Sequence, residues 1–124
     1  MWLTCWLDWD GEATIVHIRG KINAFTSATL RQCLRTAMMD SRTRVVLDLS
    51  EVTLIDENGL RIFDRFRQDC RDQGLPFALT RVPPHIRHLL ERVDLDRVLP
   101  ILNSTYAKQG AASIRKMSGT RHTG

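Results

Sequence analysis

Residues 45–60 read VVLDLSEVTLIDENGL, and the predicted architecture depends on this stretch. Its first part, residues 45–49, is a nearly continuous apolar run, which is typical of a strand inside a sheet covered on both faces. A polar loop over residues 50–55 is expected next, and Asp56 is placed to cap an amphipathic helix. Such a helix points its free N–H groups and its positive dipole end at the side chains around Asn58. We therefore expect binding or regulation at this helix N-terminus.

Hydrophobic patterning before this stretch predicts a hairpin and a helix. The hairpin strands are expected over residues 3–9 and 13–19, with a turn at Asp10-Gly11, and Gly20 is expected to end the second strand. The helix is expected to begin within residues 25–27 with Thr26 or Ser27 as its cap, because leucine and alanine then recur at helical spacing as far as Met38.

The pattern after the central stretch continues the alternation of helices and strands. The helix after Asp56 should end at Gln73-Gly74, and the elements that follow are a strand over 76–82, a helix over 83–92, a short edge strand over 98–102 and a helix over 105–114. This order favours right-handed βαβ crossovers. The predicted fold class is α/β, with a mostly parallel central sheet of about five strands, an N-terminal hairpin and about four helices.

Length and charge indicate one folded domain with a basic end. The chain has 124 residues, which suits a single domain, predicted over residues 1–114 with a basic tail, expected to be disordered, over 115–124. The net charge is +4, and Lys108, Arg115, Lys116 and Arg121 account for all of it. The remainder is electrically balanced, so we predict no specific nucleic-acid binding.

The sequence favours a cytoplasmic protein without membrane insertion. No apolar run reaches the roughly 20 residues that a spanning helix requires, and the N-terminus lacks the features of a signal peptide. The three cysteines, Cys5, Cys33 and Cys70, are far apart and form no CxxC pair. Reduced thiols are therefore expected rather than disulfides.

Chemistry-bearing residues are sparse, and we predict neither an enzyme nor a cofactor or metal site. Asp48, Asp56 and Glu57 could form a carboxylate cluster, but Asp48 lies inside an apolar strand and Asp56 is required as a cap. Phosphate-binding loops and the nucleophile elbow are absent from the sequence. Gly59 permits either a close backbone approach by a ligand or simple helix packing, and both interpretations remain open at this stage.

Three segments resemble the STAS domain family, the anti-sigma factor antagonists of bacterial partner-switching pathways. Residues 16–23, VHIRGKIN, are similar to the family pattern V-x-L-x-G-E-L-D, and residues 45–56 are close to V-x-L-D-L-S-x-V-x-x-x-D. Asn58-Gly59-Leu60 then follows, and residues 89–101 resemble the closing leucine-aspartate-arginine segment. The resemblance covers about residues 13–112 and is most specific in the central motif.

The resemblance implies a small α/β domain that docks on an anti-sigma factor or serine-kinase-type regulator and so frees a sigma factor. In typical members the partner phosphorylates a serine at the position before Gly59, and the added charge breaks the interface. Here Asn58 occupies that position and cannot be phosphorylated, while Lys21 and Asn23 replace an acidic pair. Either the module binds constitutively, which we favour, or Glu57 supplies a fixed charge that keeps it in an off-like state.

The predicted partner-binding surface combines two segments that follow strands, together with the start of the next helix. Its residues are Lys21, Asn23, Ala24, Ser50, Thr53, Asp56, Glu57, Asn58, Gly59, Leu60 and Arg61. A homodimer is compatible with the sequence. Two other functions of STAS-type domains remain open: an accessory subunit of an ABC-type membrane transport complex, and a small-molecule or nucleotide sensor.

Overall fold

A computed structural model describes residues 2–41 and 43–102 of the chain. These residues form a four-stranded sheet in the order β1-β2-β3-β4. The strands are β1 (Leu3–Trp9), β2 (Thr14–Ile22), β3 (Val45–Ile55) and β4 (Phe77–Thr80), and the helices are α1 (Ser27–Asp40), α2 (Glu57–Asp72), α3 (Pro84–Arg92) and a short 3₁₀ helix, Leu95–Arg97. The described helices are too short or too polar to pass through a lipid bilayer.

The sheet is mixed, as the alternation of elements predicts. Strands β1 and β2 form the expected antiparallel hairpin, in which Asp10 Oδ1 accepts hydrogen bonds from the N–H groups of Glu12 and Ala13, both at 2.8 Å. Strand β3 then pairs in parallel with both β2 and β4. The helices between the parallel strands supply the crossovers.

Two strands extend further than the sequence pattern predicts. Strand β2 continues past Gly20 to Ile22, and β3 continues through residues 50–55, which we expected to be a loop. Both predictions are wrong because the extensions pair with each other, with register shifts that absorb the break in alternation. Gly20 is needed inside the strand, since its φ is +119° and a Cβ there would lie 2.6 Å from the Trp2 carbonyl oxygen.

The C-terminal edge of the sheet is shorter than predicted. Strand β4 spans only Phe77–Thr80, and the predicted strand over 98–102 is reduced to a single parallel bridge between Leu79 and Ile101. Pro100 lacks a backbone N–H, so ladder pairing cannot continue through it. The predicted helix over 105–114 and the tail over 115–124 lie outside the described residues.

The main core lies between one face of the sheet and the helices. Leu30 and Leu34 of α1, Phe63 of α2 and Leu90 of α3 are among its buried residues, together with Leu47 of β3. A smaller buried cluster of Ala13, Ile15 and Val46 occurs separately, with Leu102 packed against it. Ile22, Ile55 and Leu60 belong to the same core, which packs the start of α2 against the ends of β2 and β3.

Candidate functional site

The carboxyl ends of β2 and β3 lie side by side, and the start of α2 follows directly. Lys21 and Ile22 are in register with Leu54 and Ile55. The backbone N–H of Asp56 donates to the Ile22 carbonyl at 3.0 Å, which ties the chain leaving β3 to the end of β2. The structure thus brings together the two segments that the sequence places at this edge of the sheet.

The N-terminus of α2 is capped as predicted. Asp56 is extended, with φ −102° and ψ −175°, and its Oδ1 accepts a hydrogen bond from Gly59 N–H at 3.1 Å. Glu57 and Asn58 are exposed at the first positions of the helix. Arg61 Nη2 lies 3.6 Å from Glu57 Oε1, but both side chains are more than 70% exposed, so this ion pair contributes little to stability.

Gly59 serves packing rather than ligand approach. A Cβ at this position would lie 2.5 Å from Ile22 Cγ2 and 2.6 Å from Ile55 Cγ1, distances that real Cβ atoms essentially never show. Gly59 itself is buried. The absence of a side chain therefore lets α2 begin directly against the ends of β2 and β3, and it fixes the position of Asn58 above them.

The loop between β2 and α1 is held by its own hydrogen bonds. Asn23 Oδ1 accepts from Phe25 N–H at 2.9 Å, and the Asn23 N–H donates to Thr26 Oγ1 at 3.0 Å. The Thr26 hydroxyl donates back to the Lys21 carbonyl at 2.8 Å. Thr26 occupies the N-cap position of α1 as expected, yet it makes no side-chain cap bond because its hydroxyl is used within the loop.

The predicted site residues fall into three groups. Lys21, Ala24, Thr53, Glu57, Asn58 and Arg61 are exposed; Asn23, Ser50 and Asp56 are partly buried; Gly59 and Leu60 are buried. Ser50 is six positions before Asp56 in an extended strand, which separates it from the helix start by roughly 20 Å. Ser50 therefore lies away from the helix start, and Gly59 and Leu60 offer no exposed side chain to a partner.

Two exposed apolar side chains at this edge are missing from the sequence prediction. Phe25 is 81% exposed in the loop before α1, and Leu54 is 44% exposed near the end of β3. We expected the helix to begin within residues 25–27, in agreement with α1, and Leu54 to lie in a loop. A large apolar residue within a polar, Asn-containing turn was the available signal for Phe25.

A buried polar row on the sheet is also missing from the sequence analysis. His17 lies between two carboxylates, with Nδ1 3.3 Å from Asp48 Oδ2 and Nε2 3.4 Å from Asp8 Oδ2, and its ring stacks on Trp6 at a centroid distance of 5.2 Å. Burial disfavours ionisation of Asp48, but hydrogen bonds from His17 and Ser50 outweigh it and hold the pKa of Asp48 below its ordinary value. Strand register, which sequence spacing does not reveal, makes this contact.

The cysteine thiols are free, and two of them interact. A hydrogen bond between Cys5 of β1 and Cys33 of α1, aided by burial, raises the pKa of Cys5, and the same bond lowers the pKa of Cys33. Burial raises the pKa of Cys70 to about 12, with the neighbouring Asp69 adding to the shift. Within residues 2–41 and 43–102, no group of three or more His, Cys, Asp or Glu side chains could hold a metal ion.

Replacing Asp56 by alanine is expected to destabilise the protein by about 1 kcal/mol, because the Gly59 N–H loses its acceptor. Urea unfolding followed by tryptophan fluorescence would measure the change. Asp56→Asn keeps an acceptor oxygen and should lose less than half as much. Equal stability of Asp56→Ala and the wild type would contradict the capping role.

The geometry defines a small α/β domain with a capped, exposed helix start at one edge of its sheet. A family model described as "STAS domain" matches residues 8–108, and the chain belongs to that family. The α/β fold class predicted from the sequence is confirmed.

The chain is also similar to two relatives and to one solved structure. It is 32% identical over 82 residues to Osmosensory protein A of Mycobacterium tuberculosis, a match that covers 66% of this chain and 51% of that protein. The chain therefore spans about half the length of Osmosensory protein A. It is 27% identical over 97 residues to the Bordetella bronchiseptica protein named "Putative anti-sigma factor antagonist BtrV", covering 78% of this chain and 84% of the relative. The crystal structure of an anti-sigma factor antagonist from Mycobacterium paratuberculosis superimposes with a TM-score of 0.73 at 21% identity, covering 92% and 95% of the two chains.

Proposed function

We propose that this chain is an anti-sigma factor antagonist. It acts as a non-enzymatic docking module in the cytoplasm and binds an anti-sigma factor or a related serine-kinase-type regulator. Membership of the STAS family and the similarity to BtrV support this proposal. The observation that carries it is the group of exposed side chains at the ends of β2 and β3 and at the start of α2, with Phe25 in the loop beside them. We call this surface the docking tip and define it as Lys21, Phe25, Leu54, Glu57, Asn58 and Arg61.

The docking tip has the physical properties of a preorganised protein-binding surface. The hydrogen bonds of Asn23 and Thr26 fix the loop that carries Phe25, so little conformational entropy is lost when a partner binds. Two exposed apolar side chains can be desolvated by a partner, and the charged residues at their edge can select it.

Asn58 suits a module that binds without being switched by phosphorylation at that position. Its side chain is exposed and neutral, and it cannot accept a phosphoryl group. Glu57 is a poor substitute for phosphate because it carries a single charge and Arg61 lies 3.6 Å from it. The neutral Asn58 and the partly neutralised Glu57 therefore favour a module that binds its partner constitutively over one that a fixed negative charge keeps from binding.

A charge placed at position 58 should weaken the complex. Asn58→Asp is expected to raise the dissociation constant for the anti-sigma partner about tenfold, a cost of about 1.4 kcal/mol, because a carboxylate would lose its hydration at the interface. Asn58→Ser is the matched neutral variant and should stay within about twofold of the wild type. Isothermal titration calorimetry with the anti-sigma factor encoded by the same genome would measure both.

Equal affinities of Asn58→Asp and Asn58→Ser would place Asn58 outside the interface. Failure of the wild-type chain to bind the anti-sigma factor would contradict the proposed function itself.

A further inference from the structure

A groove of about 370 Å³ runs between α1 and α2. Four arginines line it: Arg31 and Arg35 from α1, and Arg61 and Arg65 from α2. Its apolar floor comes from Leu34, Ile62 and Phe66, which are buried, and from Met38, which is partly exposed. The groove therefore combines an apolar surface with a strongly cationic rim.

The positive charge of the rim is only partly neutralised within the described part of the chain. On α2, Arg61 Nη2 lies 3.6 Å from Glu57 Oε1 and Arg65 Nε lies 3.2 Å from Asp69 Oδ1, and exposure to solvent weakens both pairs. On α1, Arg31 contacts the neutral Ser27 hydroxyl at 3.4 Å. No described carboxylate lies within ion-pair distance of Arg31 or Arg35, so the α1 side of the groove presents positive charge alone.

The groove has the length and pattern of a helix-binding site. Its lining residues on α2 run from Asn58 to Asp69, which spans about 16 Å, or about three turns of an α-helix. Apolar residues alternate with arginines along both walls, as the apolar stripe and the acidic flanks of an amphipathic helix would require. Arginine also suits carboxylate recognition, because its guanidinium can bind a carboxylate through two parallel hydrogen bonds.

We propose that this groove receives an acidic amphipathic helix of the protein partner. Apolar side chains of that helix pack on Met38 and on the aliphatic stems of the arginines, while its glutamates or aspartates face the guanidinium groups. Asn58 lines one end of the groove and also belongs to the docking tip, so the two surfaces are continuous. The inference rests on the proposed function and names the chemistry of the segment that the partner supplies.

Three fluorescein-labelled peptides of about 18 residues, long enough to form a helix, would test the groove. The first is an amphipathic sequence of leucine and glutamate, the second has lysine in place of every glutamate, and the third contains the residues of the first in an order that destroys the apolar stripe. Fluorescence anisotropy should show the first peptide binding at least about tenfold more tightly than either of the others. Equal binding of the lysine or the scrambled peptide would overturn the proposal.

A double charge reversal on α1 locates the binding. Arg31→Glu/Arg35→Glu should weaken binding of the acidic peptide by about tenfold or more. The control is Arg87→Glu/Arg92→Glu on the exposed side of α3, which changes the net charge by the same amount. This control should change the peptide's affinity less than about twofold. Unchanged melting temperatures in circular dichroism would show that both variants fold. Equal effects of the two reversals would overturn the proposal, as would saturable binding of laurate in the groove without binding of the acidic peptide.

The anti-sigma factor separates failure of the groove from failure of the proposed function. If the wild type binds the anti-sigma factor and Arg31→Glu/Arg35→Glu binds it equally well, the groove proposal fails while the function stands. If the wild type binds the acidic peptide in the groove but no anti-sigma factor, the groove stands and the function fails.

Discussion

Gly59→Val is expected to lower the free energy of unfolding by about 3 kcal/mol, through overpacking of a site that has no space for a side chain. A Cβ alone would lie 2.5 Å from Ile22 Cγ2 and 2.6 Å from Ile55 Cγ1. Both isoleucines are buried and branched at Cβ, so their side chains cannot turn away without strain. Either α2 shifts away from the sheet, or the ends of β2 and β3 distort. Urea unfolding with global fitting of the transition would measure the loss.

Asn58→Val is the matched control, because it places the same side chain one position earlier on the exposed side of the same helical turn. It should change stability by less than about 1 kcal/mol. A double-mutant cycle with Ile22→Ala gives a second test, since removing Cγ2 creates space and should reduce the cost of Gly59→Val by about 1 kcal/mol or more. Equal losses for valine at positions 58 and 59 would contradict the packing role of Gly59.

Asp48→Ala is expected to cost about 3 kcal/mol at neutral pH, because it breaks the buried contact with His17 Nδ1 and removes the acceptor of the Ser50 N–H, which leaves His17 with Asp8 alone. Asp48 is 5% exposed, and Arg81 Nη1 lies 3.8 Å from its carboxylate. Glu51→Ala is the control on the same strand, where the ion pair with Arg19 is about half exposed. Its loss should stay below about 1 kcal/mol.

The contribution of Asp48 should also depend on pH in a defined direction. Burial opposes ionisation, but the hydrogen bonds from His17 and Ser50 prevail, so the pKa of Asp48 is held below its ordinary value of 3.8. A lowered folded-state pKa stabilises the protein above the unfolded-state value and loses that effect as the pH falls through the folded-state value. The difference in unfolding free energy between the wild type and Asp48→Asn should therefore shrink below about pH 4. A difference that grows on acidification would contradict this assignment.

The sequence pattern predicts the elements well where the periodicity is continuous. The start of α2 at Asp56, its end at Gln73-Gly74 and the run of α3 from Pro84 to Arg92 all agree with capping, glycine and proline signals that act within a few residues. The same is true of β1, whose bounds match the prediction. Local sequence is sufficient to predict these boundaries, because the backbone N–H and C=O groups there find hydrogen-bond partners within a few residues.

The sequence pattern fails where distant pairing decides the structure. The extension of β3 through residues 50–55 depends on the end of β2, and the proximity of His17 to Asp48 depends on the register between the two strands. The groove between α1 and α2 likewise joins arginines that are about 30 positions apart in the chain. Much of the candidate surface was predictable residue by residue, but Phe25, Leu54 and the arginine rim required the three-dimensional arrangement.

The dipeptide Asn58-Gly59 has a chemical consequence for how this protein ages. In an unfolded Asn-Gly segment the glycine nitrogen can attack the asparagine side-chain carbonyl carbon, ammonia leaves, and hydrolysis of the cyclic imide yields aspartate or isoaspartate. In the folded chain the Gly59 nitrogen donates its proton to Asp56 Oδ1 and is held in a helix, so the nitrogen is kept out of position for attack. The cap thus preserves a neutral amide, and each excursion to the unfolded state exposes that amide to a slow, irreversible conversion into an acid.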